Sequence, residues 1–176
     1  MKKLLKAACD SGWYLEILLG LFCGLRKGEI SGLKFGDFDA ENRTIYIRRQ
    51  ITSNPVIPKG GSKIQTYKVI EKPPKTDNSY RLLRIPEAVA KEIEKRRTVI
   101  DANKLQYGEQ YFDHDYISCQ ENGLPHSTAA MNSALTKLCS RNGLPHITVH
   151  GLRHMYATIL VEQKVPLIKI SALLGH

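Results

Sequence analysis

The sequence predicts an α+β domain that is mainly α-helical and carries a small antiparallel β-sheet. Apolar residues recur at helical spacing in several separate stretches, whereas branched and aromatic residues alternate only within one short basic stretch. The 176 residues, 42% hydrophobic and 24% charged, suffice for a single core of ordinary globular composition. This composition excludes a collagen-like, coiled-coil or largely disordered chain.

The first predicted helices lie in the first 34 residues. Residues 1–16 predict an amphipathic helix rather than a signal peptide, because they have no long apolar run and no small-residue cleavage site. A helix with one buried face is predicted from Trp13 to Cys23, ended by Gly24, and a short helix from Lys27 to Lys34. No apolar run approaches the ~20 residues that cross a bilayer. The four scattered cysteines predict free thiols in a cytoplasmic protein.

Three strands are predicted in the stretch that follows. They are Thr44–Arg48, Ile64–Lys72 and Tyr80–Ile85, each rich in branched or aromatic residues. Residues 73–78 supply the proline, aspartate and asparagine of a turn. We therefore predict one small antiparallel sheet in this segment.

Four further helices are predicted from Pro86 onward, and this proline stands where the first of them begins. Ser127 or Thr128 is expected to cap the next helix, Thr148 to cap a helix after it, and Pro166 to start the last. The residues predicted to face inward are Val89, Ile93 and Ile100; Met131, Ala134, Leu135 and Leu138; Val149, Leu152, Tyr156 and Ile159; and Leu167, Ile170, Leu173 and Leu174.

The formal net charge of +9 is concentrated in the predicted sheet. Residues 43–84 hold ten basic residues against only Glu71 and Asp77, whereas six basic and six acidic residues cancel after position 100. A local excess of this kind is typical of a surface that binds a polyanion, nucleic acid first among them. On charge alone, an ordinary solvated surface with lysines for solubility is as good an interpretation.

Three clusters carry residues suited to phosphate chemistry. Gly24–Glu29 places Arg26 between two glycines at a helix start, and Lys75 stands in the predicted hairpin turn. His150–His154, in the sequence HGLRH, puts an imidazole and a guanidinium on one helix face, as an anionic phosphoryl transition state requires. Each cluster alone is also compatible with a purely structural turn or helix edge.

Together the clusters favour metal-free phosphoryl transfer on a nucleic-acid backbone, since no Walker-type loop or carboxylate cluster for Mg²⁺ is present. A metal-dependent enzyme is an alternative, because His146, His150 and His154 are spaced by four. Against it, no HExxH arrangement or nearby cysteine accompanies them. A second alternative is a nucleic-acid-binding module without catalysis.

Four sequence boxes, in this order, resemble the tyrosine recombinase (phage integrase) family. They are GLRKGEISGLKFGDFD, KTDNSYRLLRIP, HGLRH and the terminal ISALLGH. In the first box, Phe35 stands where the family commonly has Trp. Type IB topoisomerases use catalytic residues of the same kinds, but the second and fourth boxes favour recombinases. The resemblance implies the fold of DNA breaking-rejoining enzymes, with a helical catalytic domain around a small antiparallel sheet.

The resemblance implies five catalytic side chains around one phosphate: Arg26, Lys75, His150, Arg153 and His176. The two arginines would hold the non-bridging oxygens, and the lysine would protonate the 5′-hydroxyl leaving group. His150 would assist proton transfer at the nucleophile, and His176 would donate a hydrogen bond to the phosphate. Glu29 and His154 match family positions for which we expect supporting roles.

The implied reaction is site-specific DNA recombination or integration by transesterification through a 3′-phosphotyrosyl intermediate, without a metal or another cofactor. Double-stranded DNA would be the partner, with self-association on it as a tetramer, in the bacterial cytoplasm and away from membranes. We expect the DNA-contacting side chains to come from the basic segment: Arg48, Arg49, Lys63, Lys68, Lys72, Arg81 and Arg84.

The nucleophilic tyrosine is expected beyond His176, because none of the eight tyrosines occupies the family position. Tyr156 is interpreted as a core residue, and Tyr107 and Tyr111 as loop residues. We therefore expect residues 1–176 to be a single catalytic-domain fragment, without the amino-terminal DNA-clamping domain and the carboxy-terminal tyrosine segment, and inactive alone. A non-catalytic DNA-binding module or regulator related to the family is the alternative.

Overall fold

The computed structural model describes residues 1–56, 66–74 and 79–176, and for 54–56 and 66–68 it describes the backbone. The helices are α1 Lys2–Ala8, α2 Tyr14–Cys23, α3 Lys27–Gly32, α4 Glu87–Tyr107, α5 Thr128–Arg141, α6 Val149–Glu162 and α7 Leu167–Leu174. The strands are β1 Phe38–Asp39, β2 Thr44–Ile47, β3 Gln50–Val56, β4 Thr66–Lys72 and β5 Arg81–Arg84. The mainly helical α+β class is confirmed.

The predicted helix signals stand at the ends of the observed helices. Gly24 follows α2 in the left-handed conformation, with φ +64°. The Ser127 hydroxyl accepts a hydrogen bond from the Ala130 amide at 3.1 Å, and the Thr148 hydroxyl accepts one from Gly151 at 3.0 Å. Local capping chemistry therefore defines the starts of α5 and α6.

The amino-terminal segment differs from the prediction of one amphipathic helix. Helix α1 ends at Ala8, and the Ser11 hydroxyl donates a hydrogen bond to the Ala8 carbonyl at 2.7 Å. The chain turns there before α2 begins at Tyr14. Helix α3 is also shorter than predicted and ends at Gly32, where a Cβ atom would lie 3.1 Å from Gln50 Cα of β3. Packing against β3 thus limits what can occupy this helix end.

The predicted small antiparallel sheet is present, but the strands divide between two sheets. A three-stranded antiparallel sheet has the order β1-β2-β5, and β3 pairs with β4 in a separate two-stranded sheet. Strand β2 ends at Ile47, and the next two residues, Arg48 and Arg49, form ion pairs with the buried Asp37. These ion pairs hold the chain at the point where it leaves one sheet for the other.

Strand β3 was not predicted, because its sequence QITSNPV is polar and contains a proline. It forms because it pairs with β4, in a register that runs from Gln50 opposite Lys72 to Val56 opposite Thr66. The predicted strand at Ile64 begins at Thr66 among the described residues, and positions 64 and 65 lie outside them.

The core is formed where α2 crosses α6 and where α4 and the three-stranded sheet pack alongside. Leu152 of α6 is fully buried against Gly20 of α2, whose Cβ atom, if present, would lie 3.1 Å from its side chain. Most of the predicted inward-facing residues are buried or half-buried. Leu167 is the exception: the first turn of α7 projects from the domain, and this side chain is 74% exposed.

The described residues carry free thiols at Cys9, Cys23, Cys119 and Cys139, as predicted. Within the same residues, none of the helices combines the length and the apolar composition that crossing a bilayer requires.

Candidate active site

The site begins at the junction between α2 and α3. Arg26 immediately precedes α3 with an extended backbone, and its amide donates a hydrogen bond to Glu29 Oε2 at 2.8 Å. Its guanidinium donates to Glu29 Oε1 and to the Gly175 carbonyl, both at 2.8 Å. One edge of this guanidinium is therefore anchored to the protein, while the side chain remains 35% exposed.

Glu29 is buried between two guanidinium groups. Arg81 of β5 donates two hydrogen bonds to its carboxylate, each 3.0 Å long, in addition to the bonds from Arg26. Burial by itself raises the pKa of Glu29, but the hydrogen bonds and charge of Arg81, together with Arg26, outweigh it, so that the pKa lies below its ordinary value. The carboxylate thus stays ionised and fixes the Arg26 side chain.

Arg81 departs from the expectation of an exposed cation that faces DNA. It is buried, and its remaining hydrogen bonds go to the carbonyls of Leu173 at 2.8 Å and Ser79 at 3.1 Å. Since these contacts use its guanidinium within the protein, Arg81 positions Glu29 and ties β5 to the end of α7.

Arg153 of α6 is the second arginine of the site, and it is buried. Its guanidinium donates to the carbonyls of Gly24 and Leu174, both at 2.7 Å. No carboxylate among the described residues lies within ion-pair distance of it. Burial and the positive charge of Arg26 lower the pKa of Arg153 to about 10, with Glu29 opposing and Arg81 adding to the effect. A bound anion would compensate this charge.

Three histidines border the two arginines. His176 lies with Nε2 3.0 Å from Arg153 Nη2, and His150 and His154 on α6 bring their Nε2 atoms within 2.8 Å of each other. Burial, followed by the charge of Arg153 and Arg26, lowers the pKa of His176. Burial, His154 and the same two arginines lower the pKa of His150. Both imidazoles are thereby biased toward the neutral form, in which one ring nitrogen can accept a proton.

These side chains line one cleft made of two adjoining cavities of about 580 and 460 Å³, which share Arg26, Lys27 and His176. The smaller cavity is bordered also by His150 and Arg153. The larger is bordered by α3, β3 and the residues Pro74 and Ser79. The structure therefore brings together four of the five side chains that the sequence analysis singled out for catalysis, with Glu29 beneath them.

The fifth, Lys75, lies outside the described residues, as does the expected DNA contact Lys63; the side chain of Lys68 is likewise not described. Pro74, the residue before Lys75, lines the larger cavity. Among the described residues, no tyrosine lines either cavity. Tyr156 is half-buried with its ring against Gly24, in agreement with its interpretation as a packing residue.

The remaining expected DNA contacts differ in their surroundings. Lys72 and Arg84 are exposed. Arg48 pairs with Asp37 at 2.6 Å and keeps 44% of its side chain exposed, whereas Arg49, 14% exposed, pairs with both Asp37 and Glu71. Arg49 also donates to the carbonyl of Gly32 at 3.4 Å, so it links β4 to the end of α3 rather than presenting an open charge.

Several cleft residues were not found from the sequence. Thr128 and Asn132 on α5 and Gln50 on β3 line the cavities. Asn132 Oδ1 also accepts a hydrogen bond from the Val149 amide at 3.2 Å, which connects α5 to the start of α6. Single polar residues of this kind form no motif. Among the described residues, no group of three or more His, Cys, Asp or Glu side chains is arranged to hold a metal ion.

Both the sequence and the fold resemble those of known proteins. Residues 1–176, the whole of the sequence, match the phage integrase family. The chain belongs to this family. It is 35% identical over 162 residues to a tyrosine recombinase XerC-like protein of Caldanaerobacter subterraneus subsp. tengcongensis, an alignment covering 90% of this chain and 41% of that protein. The chain thus spans less than half the length of this relative.

Solved structures of integrases and recombinases share the fold of this phage integrase family member. The integrase of the Tn1549 transposon, in complex with transposon right end DNA, matches 99% of this chain and 55% of its own, with a TM-score of 0.77 and 22% identity. The XerA recombinase matches 99% of this chain and 53% of its own, with a TM-score of 0.71 and 22% identity. At these identities the likeness establishes the fold.

Proposed function

We propose that the protein containing this chain is a tyrosine recombinase that cuts and rejoins DNA in site-specific recombination or integration. The observation that carries the proposal is the cleft in which Arg26, Arg153, His150 and His176 converge above the buried Glu29. The proposal is supported by membership of the phage integrase family and by the XerC-like relative.

The two guanidinium groups are suited to a scissile phosphate. Among the described residues, Glu29 is the one carboxylate that pairs with these arginines, through Arg26 and Arg81, so this part of the cleft has an excess of positive charge. An anionic, pentacoordinate phosphoryl transition state carries more charge on its equatorial oxygens than a diester does. Donors fixed in advance therefore stabilise the transition state more than the ground state.

The proton transfers are assigned to the imidazoles and to Lys75. Neutral His150 would accept the proton of the attacking tyrosine hydroxyl, and His176 would donate to a phosphate oxygen. Lys75, next to the cavity residue Pro74, would protonate the departing 5′-oxygen. The tyrosine oxygen forms a bond to the scissile phosphorus as the bond to the 5′-oxygen breaks, which leaves a 3′-phosphotyrosyl link. A 5′-hydroxyl later attacks this link and releases the tyrosine. The energy of the phosphodiester is therefore conserved, and no cofactor is consumed.

The exposed cations Lys72 and Arg84 would contact the DNA backbone beside the cleft, with Arg48 contributing its open side. We further propose that the protein assembles as a tetramer on double-stranded DNA in the bacterial cytoplasm. The solved complex of the Tn1549 transposon integrase with transposon DNA supports the choice of DNA as the partner.

The test uses the full gene product that contains these residues, mixed with nicked duplexes from the ends of its mobile element. Covalent protein–DNA adducts are separated on a denaturing gel. We expect an adduct with the unaltered protein and a loss of about 100-fold or more with Arg153→Ala or Lys75→Ala. The matched control is Lys137→Ala, an exposed cation on α5 that lines neither cavity, and it should leave the yield unchanged.

An adduct that forms equally well in Arg153→Ala would overturn the assignment of the arginines. Salt-dependent DNA binding with no adduct in any protein would instead establish the alternative, a DNA-binding module without catalysis.

A further inference from the structure

The two histidines of α6 are arranged as a pair independently of the arginines. His150 and His154 are four residues apart on one helix, both exposed, and their rings stand nearly perpendicular with centroids 4.3 Å apart. Their Nε2 atoms are 2.8 Å apart. In the neutral state this is a hydrogen bond in which one ring donates its proton to the lone pair of the other.

The same separation fits two ligands of one metal ion. Two nitrogens each about 2.0 Å from a metal lie about 2.8 Å apart when the angle between the bonds is a right angle, and about 3.3 Å apart at the tetrahedral angle. The observed 2.8 Å therefore matches a tetragonal or octahedral ion, such as Ni²⁺ or Cu²⁺, better than a tetrahedral one.

We propose that His150 and His154 chelate a divalent late transition-metal ion through their Nε2 atoms, with solvent completing the coordination. Binding requires the donating ring to change tautomer, its proton moving from Nε2 to Nδ1 by exchange with solvent, so that both neutral imidazoles direct an Nε2 lone pair at the ion. The inference does not depend on the proposed function. If that function holds, the metal occupies the nitrogen that His150 needs for proton transfer, so the ion would act as an inhibitor.

The surrounding charges set the strength of the site. Arg153, Arg26 and Lys27 border the same cavity as His150, and their positive charge opposes a dication. Because no carboxylate of the described residues joins the pair, the affinity depends on the chelate of both imidazoles, and the loss of either should remove most of it.

The test is a calorimetric titration of the 176-residue chain with Ni²⁺. We expect one dominant site, with an affinity that falls about tenfold or more in His150→Gln and in His154→Gln. The matched control is His146→Gln, an exposed histidine four positions before His150 and outside α6, which should leave the affinity unchanged. Melting curves by circular dichroism verify that each variant folds.

An equal loss of affinity in His146→Gln, or the same isotherm for the unaltered chain and the double variant His150→Gln/His154→Gln, would overturn the proposal. The titration needs neither DNA nor catalysis, so its failure is distinguishable from a failure of the proposed recombinase function.

Discussion

Two clusters of basic side chains in this domain differ in how their charge is balanced. In the cleft cluster, Arg26 and Arg81 share the carboxylate of Glu29, and none of the described carboxylates lies within ion-pair distance of Arg153. In the sheet-base cluster, Lys34, Arg48 and Arg49 are matched by two carboxylates, Asp37 and Glu71. The cleft cluster retains charge for an anionic ligand, whereas the sheet-base cluster is largely neutralised and holds the fold together. Local counting of charges along the sequence does not distinguish them.

The sharpest difference should be in stability. Glu29 and Arg81 are both buried, so Glu29→Ala leaves two guanidinium groups without their carboxylate, and we expect a loss of about 3–5 kcal/mol in the free energy of unfolding by urea. The counterpart in the sheet-base cluster is Glu71→Ala. Its side chain is 40% exposed, so we expect a loss of no more than about 1 kcal/mol. Equal losses would remove the distinction between the clusters.

The backbone that supports the cleft should be nearly as sensitive. Gly24 has φ +64°, and a Cβ atom there would lie 2.4 Å from Tyr156 Cδ1, so Gly24→Ala should cost about 2–4 kcal/mol by urea unfolding. Gly143 is the matched control: its φ is +61°, but nothing lies within 4 Å of the added atom. Gly143→Ala should therefore cost only about 1 kcal/mol. A similar loss of stability at both sites would show that the Tyr156 ring moves away from the added methyl group at little cost in free energy.

The ionisation of Glu29 should make the cleft cluster sensitive to acid. Its pKa in the folded protein is below the ordinary value, so its stabilisation is complete above the unfolded pKa of about 4.3 and is lost as the pH falls through the folded pKa. When the free energy of unfolding by urea is measured from about pH 6 to about pH 3, it should decline less steeply in Glu29→Gln than in the unaltered chain. The same slope in both proteins would mean that other carboxylates cause the loss of stability in acid.

The smallest expected effect lies in the sheet-base cluster. The Tyr116 hydroxyl donates to Glu71 Oε2 at 2.5 Å, and Tyr116→Phe removes this bond while Lys34 and Arg49 still pair with the carboxylate. We expect a loss of about 0.5 kcal/mol in the free energy of unfolding, at the low end for one hydrogen bond because the acceptor is partly exposed. A loss as large as that of Glu29→Ala would show that this cluster, too, depends on a single buried acceptor.

Much of the site was predictable because its signals are local. The boxes around Arg26 and Arg153 sit at helix starts or within helices whose caps, Gly24 and Thr148, are readable from the sequence. The pairing of His150 with His154 follows from helical spacing alone. Where the sequence failed, the deciding contact was distant: strand β3 exists through its pairing with β4, and the two sheets separate where arginines reach Asp37.

The sequence by itself determined the helical class, most helix ends and the order of the residues that converge on the cleft, because periodicity, capping and motif spacing act within a few residues. Tertiary structure alone decided which cations are open and which are buried. Arg81, expected at a DNA surface, lies 52 residues from Glu29 along the chain and still gives it two hydrogen bonds. Burial and pairing depend on which segments meet, and this is set by packing of the whole domain.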